Sequence, residues 1–492
     1  MHSSALTVLA YCASLASARG WSTIEINDGQ WSEVIERDVC VIGGGASGTH
    51  AAVSLLDSNK SVVIVERNDH LGGHTRTYLD TATGIPIDIG VVIFHPVPVV
   101  FDFFSKFDVP LINMSAVVAN EPGQPANFSL PANLYSIFQV NSDFRDGSPV
   151  TPDVPSGQAE AIERLAEAMA QYPYLLEGYD LPDPVPEDLY MPFGAFIEKY
   201  NATAAFPLVY QISQGMGDLL NVATIYAIKY FNLKDLQYIS SGYYTEARGN
   251  NSLLYARASQ YIGAENMLLE SSIVSTNRKN TTHGQLELLV STRDEGLKLL
   301  QCGQVLLTIP PTLNNLRGWD LTPEELSVFT QYITANGYWT GLVKNVGMNQ
   351  TISNVNSAAT TPFNIPVLPA LYQLTPVGVL DDVWWAKFAA NNPTLTKEEA
   401  KSYAERQIAT LQKANDIPVT QPEWLEFESH TPFHLQVTFE AIKDGFFRNL
   451  TALQGGLDGK MFYSGAAFHT HHSTLLWQFN QDVVIPQMMG TA

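Results

Sequence analysis

The stretch Val39-Cys40-Val41-Ile42-Gly43-Gly44-Gly45-Ala46-Ser47-Gly48 constrains the fold more than any other part of the chain. An apolar strand runs into a glycine turn and then into a helix. A second apolar run, Ser61-Val62-Val63-Ile64-Val65, is closed by Glu66, at about the twenty-residue offset where an acid meets a dinucleotide's ribose. Each part has a physical role. Gly43 permits the tight turn, Gly45 lets the backbone approach a pyrophosphate, and Gly48 lets the helix pack closely on the strand. The helix that starts there turns free N–H groups and a partial positive charge toward phosphates. Glu66 can accept a hydrogen bond from a ribose hydroxyl. Strand, helix, second strand and acid in register predict a bound dinucleotide. The fold class is therefore α/β, with a Rossmann-type domain.

With 492 residues, the chain exceeds what one hydrophobic core usually holds, so two successive or interleaved domains are expected. Hydrophobic residues make up 45% and charged residues 15%, the balance of a well-buried globular protein. A formal charge of −22 disfavours nucleic acid and anionic membrane surfaces as partners. A small-molecule substrate is expected instead. Residues 1–19 read as a signal peptide: an apolar run from Ala5 to Leu15 leads to Ala16-Ser17-Ala18. The run is too short to span a membrane. Asn-x-Ser/Thr sequons stand at Asn59, Asn113, Asn127, Asn201, Asn250, Asn280, Asn349 and Asn449, so N-glycosylation and a secreted or luminal location in the secretory pathway are expected. Of Cys12, Cys40 and Cys302, the first leaves with the signal and the second lies inside the first strand. The expectation is that no disulfide framework exists and that Cys40 is a buried small apolar residue.

Directly after the nucleotide unit come Arg67-Asn68-Asp69-His70-Leu71-Gly72-Gly73-His74-Thr75 and then Asp88-Ile89-Gly90. The paired glycines again offer close backbone approach to a ligand. Fingerprint, acid, Leu-Gly-Gly and Asp-x-Gly together resemble the flavin-containing amine oxidase superfamily. Gly43–Thr49 read with Glu66–Thr75 is similar to the β-cyclopiazonate dehydrogenase group, FAD oxidoreductases of fungal secondary-metabolite pathways.

The resemblance implies FAD as cofactor and a flavin domain interleaved with a mixed α+β substrate domain. The expected division is 37–114 for the first part of the flavin domain and 115–230 for a helical cap. Residues 231–318 return to the flavin domain, 319–450 form the rest of the substrate domain, and 451–492 close the cofactor site. Cofactor contacts are expected at Gly43, Gly45, Ala46, Ser47, Gly48, Glu66, Arg67, Gly72, Gly73 and His74. The resemblance adds a backbone contact to adenine at Val274. It also implies a C-terminal strand–turn–helix at Tyr463-Ser464-Gly465-Ala466. Amine oxidases carry an acid at this turn; the sequence does not, so a ribityl contact falls to Ser464 or to the backbone around Gly465.

Hydride transfer to the flavin could require a base for an N–H or O–H proton. His469, His471 and His472 are the candidates. Their spacings do not suit a metal, and no metal site is expected. His430 and His434 flank Pro432 and read as packing or surface, while Tyr338, Trp339, Trp384 and Trp385 read first as core. The implied activity is oxidation of a polycyclic or terpenoid-type metabolite, with possible ring closure. An amine or amino-acid oxidase releasing peroxide and a non-catalytic flavin carrier remain open alternatives.

Overall fold

The structure is a computed structural model describing residues 26, 31–114, 139–151, 156–279, 284–356 and 361–491. The expected signal peptide, Cys12, Asn127 and Asn280 lie outside the described residues. The chain runs through β1 (Glu33–Ile42), α1 (Ala46–Asp57), β2 (Val62–Val65) and β3 (Gln139–Ser142). Next come α2 (Leu233–Ser241), α3 (Ser252–Ile262), β4 (Met267–Leu268), β5 (Ser271–Asn277), β6 (Leu286–Thr292) and β7 (Gly296–Leu307). They are followed by α4 (Pro323–Phe329), β8 (Ile333–Lys344), β9 (Thr351–Asn354), β10 (Ala370–Pro376) and β11 (Trp384–Ala390). The last elements are α5 (Lys397–Ala414), β12 (Glu423–Ser429), β13 (Phe433–Gln436), β14 (Met461–Tyr463) and α6 (Ser473–Phe479).

The first sheet has the order β4-β2-β1-β7-β6-β5, with β14 also paired to β7. Val39–Ile42 and Val62–Val65 are buried throughout, as expected of parallel strands covered on both faces. Strand β7 changes partner along its length. Its first half pairs antiparallel with β6, and Val305–Leu307 pair in parallel with Met461–Tyr463. The ends of β1 and β7 therefore lie side by side, Ile42 opposite Leu307, and both chains turn away from the sheet there. Such a strand-end crevice is where α/β sheets bind ligands.

The second sheet has the order β12-β8-β11-β10-β9-β3, with β13 also on β8. Alternation assigns its faces. Trp339, Val343, Trp384, Ala386 and Phe388 pack against Ala400, Ala404, Ile408 and Leu411 of α5, which Thr396 and Glu399 cap reciprocally. The opposite face carries Tyr338, Thr340, Trp385 and Lys387. The Trp385 indole N–H donates to the carbonyl of Asp88 (2.9 Å), joining this face to the first domain. Trp339, Trp384 and Trp385 are core residues, whereas Tyr338 faces the interior cavity.

One expectation is overturned: Cys40 of β1 and Cys302 of β7 form a disulfide, with Cα atoms 5.8 Å apart. The two cysteines lie 262 residues apart. The bond joins neighbouring strands of one sheet, a neighbourhood invisible to local pattern.

A buried ion network holds β5, α4 and β14 together. The Arg278 guanidinium, fully enclosed, donates from Nε to Asp320 (2.9 Å) and from both terminal nitrogens to the Glu325 carboxylate (2.8 Å each). Glu325 also accepts from the Thr322 N–H and the Tyr463 hydroxyl. Removing one member of such a pair leaves charges buried and unpaired. Arg278→Met is expected to lower the unfolding free energy by about 3–5 kcal/mol, read as a shifted urea midpoint at unchanged slope.

Candidate active site

A cavity of about 1300 Å³ opens between the ends of β1 and β7 and the second sheet. The glycine fingerprint forms one wall. Gly43 has φ +107°, and a Cβ there would stand 2.7 Å from both Thr308 Oγ1 and Ile309 Cγ2. At Gly48 a Cβ would stand 1.9 Å from the Gly43 carbonyl oxygen. The second glycine pair folds back onto the first: the Gly72 N–H donates to the Gly44 carbonyl (2.8 Å). At Gly73, with φ +57°, a Cβ would come within 2.9 Å of Gly45 Cα. Helix α1 starts directly at this cradle, with no acid in its first turn. Its partial positive charge is therefore uncancelled.

Glu66 is held rigidly. Its carboxylate accepts from the Gly44 N–H (2.7 Å) and the Asn68 N–H (2.9 Å). Gly43, Gly45, Ala46, Ser47, Gly48, Glu66, Arg67, Gly72, Gly73, His74, Val274 and Gly465 all line the cavity. Ser464 does not. Its hydroxyl is buried behind the cradle, 2.7 Å from Ser47 Oγ and 2.6 Å from Asn480 Oδ1, so it braces α1. The turn itself is exposed to the cavity through Gly465 and Ala466.

The three histidine candidates part company. His469 is wholly buried outside the cavity, its Nε2 3.2 Å from the Leu176 carbonyl and its ring against Phe479. His471 and His472 line the cavity. His471 Nε2 accepts from the His434 N–H (3.0 Å), which fixes its ring proton on Nδ1 and leaves it a donor only. The His471 ring lies parallel to His74 at 5.6 Å and against Phe433 at 4.4 Å. His430, expected to be packing or surface, also lines the cavity. It meets His74 edge-on at 4.6 Å and Thr340 Oγ1 at 2.9 Å through Nε2.

Burial keeps these imidazoles neutral: His74 and His434 are pushed down to about 4 and His472 to about 3. Burial likewise holds His430 and His471 well below the usual histidine range. His472 is the one candidate whose two ring nitrogens have no hydrogen-bond partner. It stands 3.9 Å from Asp235 Oδ1 and 4.2 Å ring to ring from His95. Ligand atoms of His95, Asp235 and His472 fall within 4.8 Å of one another, near enough to share a cation. Asp235 is already engaged, however, with His95 Nε2 at 2.8 Å on one oxygen and the Asn232 N–H at 2.9 Å on the other. Tyr338, Asp235, Tyr230 and Lys387 also line the cavity; the last three carried no local signal, since strand and helix facing decides whether such residues meet a ligand.

A glycine cradle, a helix start without acids and a cavity-lining carboxylate at Glu66 suit a dinucleotide. The fold is that of the amine-oxidase-like flavoproteins. Residues 41–107 match the family model described as NAD(P)-binding Rossmann-like domain. A fatty acid isomerase from P. acnes superposes with a TM-score of 0.70 at 17% identity, covering 91% of this chain and 98% of that one. A putrescine oxidase gives 0.60 at 14% identity, covering 93% of this chain and all of its own.

Sequence relatives are nearer. An FAD-dependent oxidoreductase (oblC) of Cochliobolus heterostrophus is 36% identical, with 93% of this chain and 92% of that protein aligned. A β-cyclopiazonate dehydrogenase of Aspergillus flavus is 31% identical over 97% of both chains. The chain belongs to this family of FAD-dependent oxidoreductases, and its cofactor is FAD.

The cradle tolerates no added bulk at Gly73, where φ is positive and Gly45 lies opposite. Gly73→Val is expected to weaken FAD retention at least about tenfold, measured as flavin released per protein on denaturation. Gly456→Ala, with nothing within 4 Å of its added carbon, keeps full flavin content.

Proposed function

We propose that this oxidoreductase dehydrogenates an intermediate of a fungal-type specialised metabolite and that the oxidation sets up ring closure. The observation that carries this reading is the cavity itself. Its roughly 1300 Å³ exceeds the range of about 300–1,000 Å³ usual for one drug-sized ligand, leaving room beside the cofactor for a polycyclic substrate. The wall opposite the cradle carries the aromatic rings of Tyr230, Tyr338 and Phe433 and the neutral imidazoles of His430 and His471. The relatives named above support the same class of substrate.

Held by the glycine cradle and Glu66, FAD would supply a two-electron hydride acceptor for a C–H bond next to nitrogen, oxygen or an aromatic ring. The chain supplies the rest. Tyr338, Phe433 and the stacked His74–His471 pair present flat faces that orient a ring system and exclude water. His471, with Nε2 occupied, donates from Nδ1. His472, neutral and with an open lone pair, accepts a hydrogen bond from the substrate N–H or O–H whose proton must leave. Hydride and proton thus leave the substrate by separate routes.

The reading extends to location: the protein enters the secretory pathway and is N-glycosylated. The buried Cys40–Cys302 disulfide supports this, because such bonds persist in oxidising compartments. So do the exposed sequon residues Asn59, Asn201, Asn349 and Asn449. Among the described residues no helix is long and apolar enough to cross a membrane.

The decisive test is anaerobic bleaching of the bound flavin by a panel of pathway intermediates. Reduction by polycyclic metabolites but not simple amines is the expected result, and a flavin bleached only by amines would refute it. His472→Asn is expected to slow reduction about 10²-fold or more in stopped-flow traces, while His469→Asn stays near wild type. Because burial holds His472, His74 and His434 at about 3 to 4, their neutral forms persist until the pH falls through those values. The acid limb of the reduction rate therefore lies below about pH 5, not near the 6.5 of a free imidazole.

A further inference from the structure

Strand alternation places Trp385, Lys387 and Ala389 of β11 on the cavity side of the second sheet. Register sets Lys387 between Thr340 of β8 and Gln373 of β10, with Glu428 of β12 one strand beyond Thr340. Lys387 lines the cavity. Among the described residues its ammonium has no hydrogen-bond or ion-pair partner.

The charged and titratable groups on the elements around it are engaged elsewhere. Glu428 is 3.5 Å from Lys397 Nζ, and its backbone lies about 10 Å from β11 at two strand spacings. Glu426 sits beside Glu428 and feels Arg76, and His430 is bound to Thr340. Tyr338 and Tyr372, buried on the same face, are held protonated by desolvation. Gln373 is committed to Thr375 (2.8 Å).

A half-buried ammonium on the cavity wall, with no ion-pair partner among the described residues, has a desolvation cost that nothing there offsets. Such a group persists where a ligand supplies the counter-charge. We infer that Lys387 anchors an ionised oxygen of the substrate, a carboxylate or an acidic enol carried by the molecule whose C–H bond the flavin oxidises. The inference rests on the dehydrogenase reading for the identity of that molecule, but not for the anion site itself. It makes Lys387 a specificity determinant: neutral analogues of the same shape enter the cavity without their anchor. Burial lowers the Lys387 ammonium to about 8. The anchor is therefore present below that pH and lost as pH rises through it.

Isothermal titration calorimetry on the FAD-loaded protein tests this with two probes, 2-naphthoate for the carboxylate and 2-acetylindane-1,3-dione for the acidic enol. Neutral 2-naphthylmethanol serves as the comparison. At least one anion is expected to bind wild type more tightly than the alcohol, and Lys387→Met to weaken it by about ten- to a hundredfold. The probe that shows this dependence identifies the anion. Affinity for it falls one pH unit above 8 in wild type but holds in Lys387→Arg, whose charge persists. Lys387→Met removes a charge from the cavity wall and leaves the cradle untouched, so its flavin content stays at the wild-type level. Equal binding of alcohol and anions, no binding of either anion, or anion affinity unchanged in Lys387→Met overturns the proposal. Failure of every metabolite to bleach the flavin would instead count against the dehydrogenase reading and leave the calorimetric result standing.

Discussion

Asp88 sits where three parts of the molecule meet, and the cavity takes its shape from what this residue holds. Its carboxylate accepts from the Thr77 hydroxyl and from both the backbone and side-chain N–H groups of Asn251. Its carbonyl accepts from the Trp385 indole. One residue thereby fixes the loop after the glycine pair, the start of α3 and the inner face of the second sheet. Burial pushes its carboxyl up to about 7. A carboxyl raised in this way binds its proton more tightly folded than unfolded. Its contribution to stability is complete in acid and declines as pH rises through about 7.

The two walls of the cavity follow different physical logics. The cradle works by absence: glycines 43, 45, 48 and 73 keep side chains out so that backbone dipoles can be approached. The opposite wall works by presence, stacking aromatic and imidazole rings whose charge burial has removed. Between them stand only a few polar groups with unspent capacity, His472 and Lys387 among them. Specificity in such a site depends on where those few groups point.

The nucleotide unit was legible because its chemistry is local. Strand, turn, helix and acid occur within about thirty residues, and each needs its residue type for a backbone reason. Gly72-Gly73 and the C-terminal turn were legible for the same cause. Ser464 misled because sequence places a hydroxyl at a turn without saying which side of the turn it faces; here it faces Ser47 and Asn480. Lys387 was silent because Trp384-Trp385-Ala386-Lys387 reads as a strand buried on both faces. Only pairing with β8 and β10 shows which face meets the cavity. The Cys40–Cys302 bond required knowing that β1 and β7 are neighbours, a fact of topology that no window along the chain contains.

That topology bears on the birth of the protein. Strand β7 receives its last partner from Met461–Tyr463, and the cavity is closed by residues around Gly465 and His472. The sheet that carries the glycine cradle is thus completed by a strand far from it along the chain, Met461–Tyr463. The FAD site is therefore complete only once these C-terminal residues have folded onto the sheet.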